Sequence, residues 1–141
     1  MGIISLVLTA AGLVFGFLSA KTFWGAGNFK LKGTKEAFAA AGFGWAEKTP
    51  LGVIKLVGFL EVLGAIGVIV APIVALIPGF EWAQYVGVAA ALGLVATMLG
   101  AMLIHGSRKE SKYTFKMNFK ILVIALVAAV LYAFVQLPLA F

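Results

Sequence analysis

Cysteine is absent from this 141-residue chain. That removes disulfide exchange, thiolate catalysis and thiolate-held metal or iron–sulfur centres from the chain's own chemistry. Histidine occurs once, at His105, and a lone histidine without a His/Asp/Glu cluster builds no metal site, so no metal is expected. Acidic residues number only five, against eleven lysines and arginines. Gly25-Ala26-Gly27-Asn28 follows no strand and has no dinucleotide-binding context. Neither Asn28 nor Asn118 begins a glycosylation sequon.

Charge is also scarce. Charged residues make up 11% of the chain, against roughly 25% in soluble domains. Hydrophobic residues make up 63%, and the mean hydropathy is +1.12. A soluble protein of this size has no interior large enough for that apolar surface, so lipid must be the solvent for most of it. About 20 apolar residues in a helix cross a hydrocarbon core of about 30 Å. Four segments qualify: 3–21, 50–77, 82–105 and 118–139. The expected fold is all-α: one domain over 1–141, a polytopic membrane protein built as an antiparallel four-helix bundle. The N-terminal segment lacks a positive n-region, and Leu18-Ser19-Ala20 is a poor cleavage site, so it reads as a retained first helix.

The cations are not scattered. Lys21, Lys30, Lys32, Lys35, Lys48 and Lys55 lie in or beside the stretch 22–49; Arg108, Lys109, Lys112, Lys116 and Lys120 lie in or beside 106–117. With four spans, these stretches share one face of the membrane, and Lys/Arg-rich loops mark the cytoplasmic face. The expected location is the cell membrane, with both basic loops cytoplasmic and both termini outside. Anionic lipid headgroups are the expected partners of those loops, and nucleic acid is not.

Within 22–49, Thr34 is placed to cap a short helix over 35–41 that Gly42 ends. That helix is expected in the headgroup region, lysines outward and aromatics toward the bilayer. Thr49-Pro50 reads as an N-cap followed by proline in the first turn. Pro72 predicts a kink or early end to the second helix, and Pro78-Gly79 a turn. Gly12 and Gly16 form a GxxxG pair of the kind that lets helices approach closely.

Glu61 is the most informative side chain. It lies about 16 Å along the second helix from Pro50 at 1.5 Å per residue, near mid-bilayer by that count. Val57, Gly58, Gly64, Ala65 and Val68 share its face, and such small residues favour packing against other helices. Two readings stand together: a proton carrier or head-group contact, and a polar contact that holds the bundle together. Lys21 and His105 are the cations placed to approach it. Lys55, about 240° around the helix from Glu61, is expected to snorkel to the interface. His105 at a helix C-terminus either meets the terminal carbonyls or relays protons. The candidate functional residues are therefore Glu61, His105, Lys21 and Lys55, with no catalytic residue assigned.

Three segments resemble the DoxX-like family of small four-helix membrane proteins. They are the end of helix one at Lys21, the run Lys55-Leu-Val-Gly-Phe-Leu-Glu61-Val-Leu-Gly-Ala-Ile-Gly67, and Met98-Leu-Gly-Ala-Met-Leu-Ile-His105. The resemblance implies association with larger assemblies, since members are linked to thiosulfate:quinone oxidoreductase subunits, oxidative-stress membrane complexes and receptor-assembly chaperones. It implies no shared reaction. The resulting expectation is an accessory or assembly subunit of a membrane oxidoreductase complex, not an enzyme on its own. It would pack with other membrane subunits or with its own copies. It would hold no cofactor, with quinone or lipid the ligands open to it. A small proton-coupled transporter using Glu61 and a quinone-interacting redox subunit are the alternatives. The one-sided charge disfavours transporters that insert in both orientations.

Overall fold

The computed structural model describes residues 2–108 and 112–136. Six helices follow in order: α1 (Ile3–Lys32), α2 (Lys35–Ala40), α3 (Trp45–Lys48), α4 (Leu51–Val74), α5 (Ala83–Ser107) and α6 (Lys112–Gln136). The four long helices are apolar enough and long enough to cross a membrane. Each packs on the next, α1 on α4, α4 on α5 and α5 on α6, and α6 returns to α1 to close an antiparallel ring. The expected four-helix membrane bundle is what the chain forms.

Small residues sit inside and large ones outside. The shared core is built from Ala65, Ala91, Ala125, Ala128 and Ala129 with Phe23, Val68, Leu94 and Tyr132. Phe17, Leu63, Leu103 and Phe134 point outward. This is the arrangement lipid favours, because apolar burial between helices gains little there and close contact gains more.

Helix α1 departs from expectation. It continues past Lys21 to Lys32, 30 residues in all, about 45 Å at 1.5 Å per residue. Its polar residues are carried by the helix itself: the Thr22 hydroxyl donates to Leu18 O and the Asn28 amide to Trp24 O, each one turn back. Gly27, in the stretch expected to join the first two spans, leaves room for α4, whereas Gly25 faces open space. A Cβ on Gly27 would lie 2.7 Å from Gly58 O, and one on Gly58 2.7 Å from Gly27 O. The two backbones therefore touch, and the tail of α1 lies along the start of α4.

Other boundaries shift by less. Helix α4 ends at Val74 rather than 77, two residues beyond Pro72. Thr49 does not cap it; its hydroxyl donates to Trp45 O, closing α3, and Pro50 holds the N-cap position. Thr34 does cap α2, accepting from Ala37 N, and Gly42 follows at φ 81°. Gly79 turns at φ 88° and donates to both carboxylate oxygens of Glu81. The Glu81 backbone N–H and then that of Gly79 hold this carboxyl below the usual range. Helix α6 begins at Lys112, not 118, so Lys112 and Lys116 ride on a helix. Lys109 and residues 137–139 of the expected fourth span lie outside the described residues.

Away from the basic end, one interaction joins three helices and a proline. Pro72 has no N–H, so Val68 O, four residues earlier, loses its helical donor. The Tyr132 hydroxyl of α6 supplies one at 2.9 Å. The ring reaches that carbonyl by lying across Gly12 and Gly16, where any Cβ would meet it at 2.5 or 2.6 Å. The GxxxG pair thus admits the tyrosine, and at Gly16 the α4 backbone as well, where a Cβ would lie 3.1 Å from Val68 O. Gly87 of α5 accommodates the ring of Pro72. An unpaired buried carbonyl costs about 1–3 kcal/mol, so Tyr132→Phe should destabilise by about that amount. In a Pro72→Ala background the restored N–H takes Val68 O, and most of the penalty should vanish. Unfolding in micelles, run as a double-mutant cycle, measures this coupling; additive effects would refute the assignment.

Candidate functional site

Glu61 is 1% exposed and bound on both oxygens by one cation. Lys30 Nζ lies 2.8 Å from Oε1 and 2.7 Å from Oε2. Lys30 is missing from the sequence-level candidates because it lies beyond the expected end of helix one. On the continuous helix it stands one turn beyond Gly27, as Glu61 stands one turn beyond Gly58 on the antiparallel partner. A Cβ on Gly58 would lie 2.7 Å from Lys30 Cβ and one on Gly27 3.1 Å from Glu61 Cβ, so each side chain starts beside the partner helix's glycine. Side chains lean toward the N-terminus of their own helix. In an antiparallel pair that brings lysine and glutamate toward each other, and two long side chains close the gap.

The other candidates do not join this pair. Lys21 is exposed on α1, off the buried stripe of Gly12, Gly16, Ser19, Phe23 and Gly27. Lys55 is exposed on α4, consistent with an interfacial lysine. His105 is half-buried in the last turn of α5. The expected approach of Lys21 or His105 to Glu61 is replaced by Lys30. The face of Glu61 is as expected: Gly58, Ala65 and Val68 are buried with it.

Helices α2 and α3 cover the pair on the basic side. Phe38 is 2% exposed and packs with Ala46 and Ile54. Phe29 meets Phe38 edge-on at 5.3 Å and Phe43 at 5.8 Å; Phe43 meets Trp45 edge-on at 6.2 Å. Lys35, expected to point outward, turns in: its Nζ donates to Glu47 O at 3.1 Å and to Thr49 O at 2.5 Å. The segment is therefore a cap seated on the ends of α1 and α4. The Arg108 guanidinium lies against Gly44, so the end of α5 reaches the same cap. Between cap and α1 is a cavity of about 30 Å³ lined by Ala26, Phe29, Lys30, Phe38, Phe43 and Trp45.

The pair can hold α1 to α4, and Lys30 is among the residues that line that cavity. Among the described residues, no group of three His, Asp or Glu side chains could hold a metal ion.

Removing one partner of a buried pair strands the other charge, at a cost of about 3–5 kcal/mol. Lys30→Met and Glu61→Leu should each lower the unfolding midpoint strongly, and the double variant should recover most of the loss. Lys21→Met should change little. Equal loss from Lys21→Met and Lys30→Met in a thermal-unfolding assay would contradict the geometry.

The profile of the DoxX-like family matches residues 14–130, from α1 into α6. No curated protein and no solved structure matches the chain.

Proposed function

We propose that this chain, which belongs to the DoxX-like family, is a non-catalytic accessory or assembly subunit of a membrane oxidoreductase complex. The observation that carries this reading is the Lys30–Glu61 pair. The buried acid has both oxygens engaged by a lysine from the neighbouring helix. A proton-coupled transporter would have to break that pair in each cycle, stranding a charge inside the bundle. In the favoured reading Glu61 is a structural tie, and the protein acts through its surface and its place in the membrane. The quinone-interacting alternative is kept because Lys30 lines a small cavity whose other walls are mostly aromatic.

The proposed orientation places the basic end in the cytoplasm and both termini outside. Lys32 and Lys48 are exposed at that end, Lys30 and Lys35 lie inward of them, and the turn bearing Glu81 lies at the other end. Anionic headgroups are the proposed partners of the exposed lysines.

Purification in mild detergent tests the role. The expected result is stoichiometric co-purification with redox-enzyme subunits. A stable isolated homodimer that takes up protons with substrate, and loses this in Glu61→Gln, would overturn it. Because the chain has no cysteine, single introduced ones report sidedness cleanly. Phe80→Cys should react with an impermeant maleimide on intact cells and Ala39→Cys should not; the reverse pattern would invert the topology.

A further inference from the structure

Contacts between the spans fix which residues share a level along the bundle. Gly12 abuts the Tyr132 ring, and Gln84 donates to Tyr132 O. Thirteen residues from each toward the basic end lie Gly25 on α1, Phe119 on α6 and Thr97 on α5. Glu61 of α4 joins that level. It stands one turn from Gly64, which abuts Leu94, as Thr97 stands one turn from Leu94.

At that level the two outer faces of the bundle differ. On α4 and α5 the outward residues stay apolar well past it toward the basic end. Leu60, Leu56, Leu99, Leu103 and Ile104 are all exposed, and Ile104 lies seven residues beyond Thr97. On α1 and α6 the outward residues are already charged. Lys120 lies one residue short of the level, Lys116 three past it and Lys21 four short, and all three are exposed. From Lys120 to Ile104 the apolar edge shifts by eight residues, about 12 Å. The other end shifts the same way. Ile3 of α1 is 78% exposed and reaches about 9 Å beyond Ile77, after which the chain turns at Pro78-Gly79.

An upright bundle cannot satisfy both edges. A membrane boundary at Ile104 leaves Lys120 and Lys21 facing hydrocarbon about 12 and about 16 Å deep, where an unpaired charge is costly. A boundary at Lys21 leaves Leu56, Leu99, Leu103 and Ile104 in water. Tilting satisfies both. Across two helix layers, about 20 Å, a 12 Å shift corresponds to about 30°, within the range that membrane helices adopt.

We propose that the bundle sits tilted by about 30° in the bilayer, and that Lys21, Lys116 and Lys120, with Trp24, form a binding face for anionic lipid headgroups. At that depth α4 and α5 still meet acyl chains. The choice of lipid rests on the headgroup reading above; the tilt depends neither on the accessory role nor on which end is cytoplasmic. The isolated chain in vesicles suffices to test it, so its failure and a failure to co-purify are separate results.

The absence of cysteine lets nitroxide labels be placed singly. Trp24→Cys, Phe119→Cys, Leu60→Cys and Leu99→Cys are outward positions within two residues of one level. Depth is read in phosphatidylcholine–phosphatidylglycerol vesicles from collisions with oxygen and with a water-soluble nickel chelate. The labels at 60 and 99 should lie about 10 Å deeper than those at 24 and 119, the offset of a bundle about 20 Å wide at that tilt. Equal depth at all four would overturn the tilt. Labels at 24 and 119 shielded from both agents would put protein there and overturn the lipid face. Lipid choice is read with spin-labelled phosphatidylglycerol and phosphatidylcholine on unlabelled protein. Phosphatidylglycerol should be preferred, and Lys21→Gln, Lys116→Gln and Lys120→Gln together should lower the preference about fivefold, the weight of one lysine near a charged surface. All three side chains are exposed, so the core of this variant is intact. A preference unchanged in the triple variant would also overturn the headgroup face.

Discussion

A carboxylate enclosed by apolar helices has to find its counter-charge inside the protein, because lipid offers none. In this bundle the counter-charge is Lys30, and much of the architecture at the basic end accompanies that pairing. Helix α1 has to run on to Lys32 for the lysine to exist as part of a helix. Gly27 and Gly58 have to bring the two backbones into contact so that the side chains can meet. The cap of α2 and α3 then closes over the pair, held by four aromatic rings and by Lys35 on the carbonyls of Glu47 and Thr49. Replacing the pair by apolar residues would cost little in principle, since buried ion pairs often contribute no net stability. Its contribution lies in register: one glutamate on α4 and one lysine on α1 select a single alignment.

The same rule operates in the opposite half. Pro72 frees a carbonyl in α4, and Tyr132 returns a donor to it across the floor made by Gly12 and Gly16. The Gln84 amide donates to Tyr132 O at 3.3 Å, joining α5 to the same point. Glu61, Gln84 and Tyr132 thus tie one helix to another, and apolar contact fills the space between them. This division of labour suits a protein whose exterior is surrendered to lipid.

Much of this was legible in the chain. Four apolar runs of spanning length, glycine-rich faces and one-sided cations specify a four-helix membrane bundle, because length and hydropathy act locally. The Thr34 cap and the Gly42 and Gly79 turns were equally local. The end of α1 was not. Gly25, Gly27 and a lysine-rich stretch read as loop when only propensity is weighed, and the reason for helix there is tertiary: the backbone of α4. Lys30 could have been found from its spacing, since it stands on α1 to Gly27 as Glu61 stands on α4 to Gly58. Tyr132 could have been found by asking what replaces the donor Pro72 lacks, but which helix supplies it depends on packing.

The functional reading rests on Glu61 being an ionised tie and not a proton site. Isotope-edited infrared difference spectroscopy of glutamate-labelled protein in bilayers tests that most directly. The account predicts that the wild-type minus Glu61→Gln spectrum contains the paired stretches of an ionised carboxylate, and that Lys30→Met replaces them with the carbonyl stretch of a protonated acid. A protonated Glu61 in the wild type, unchanged by Lys30→Met, would contradict it.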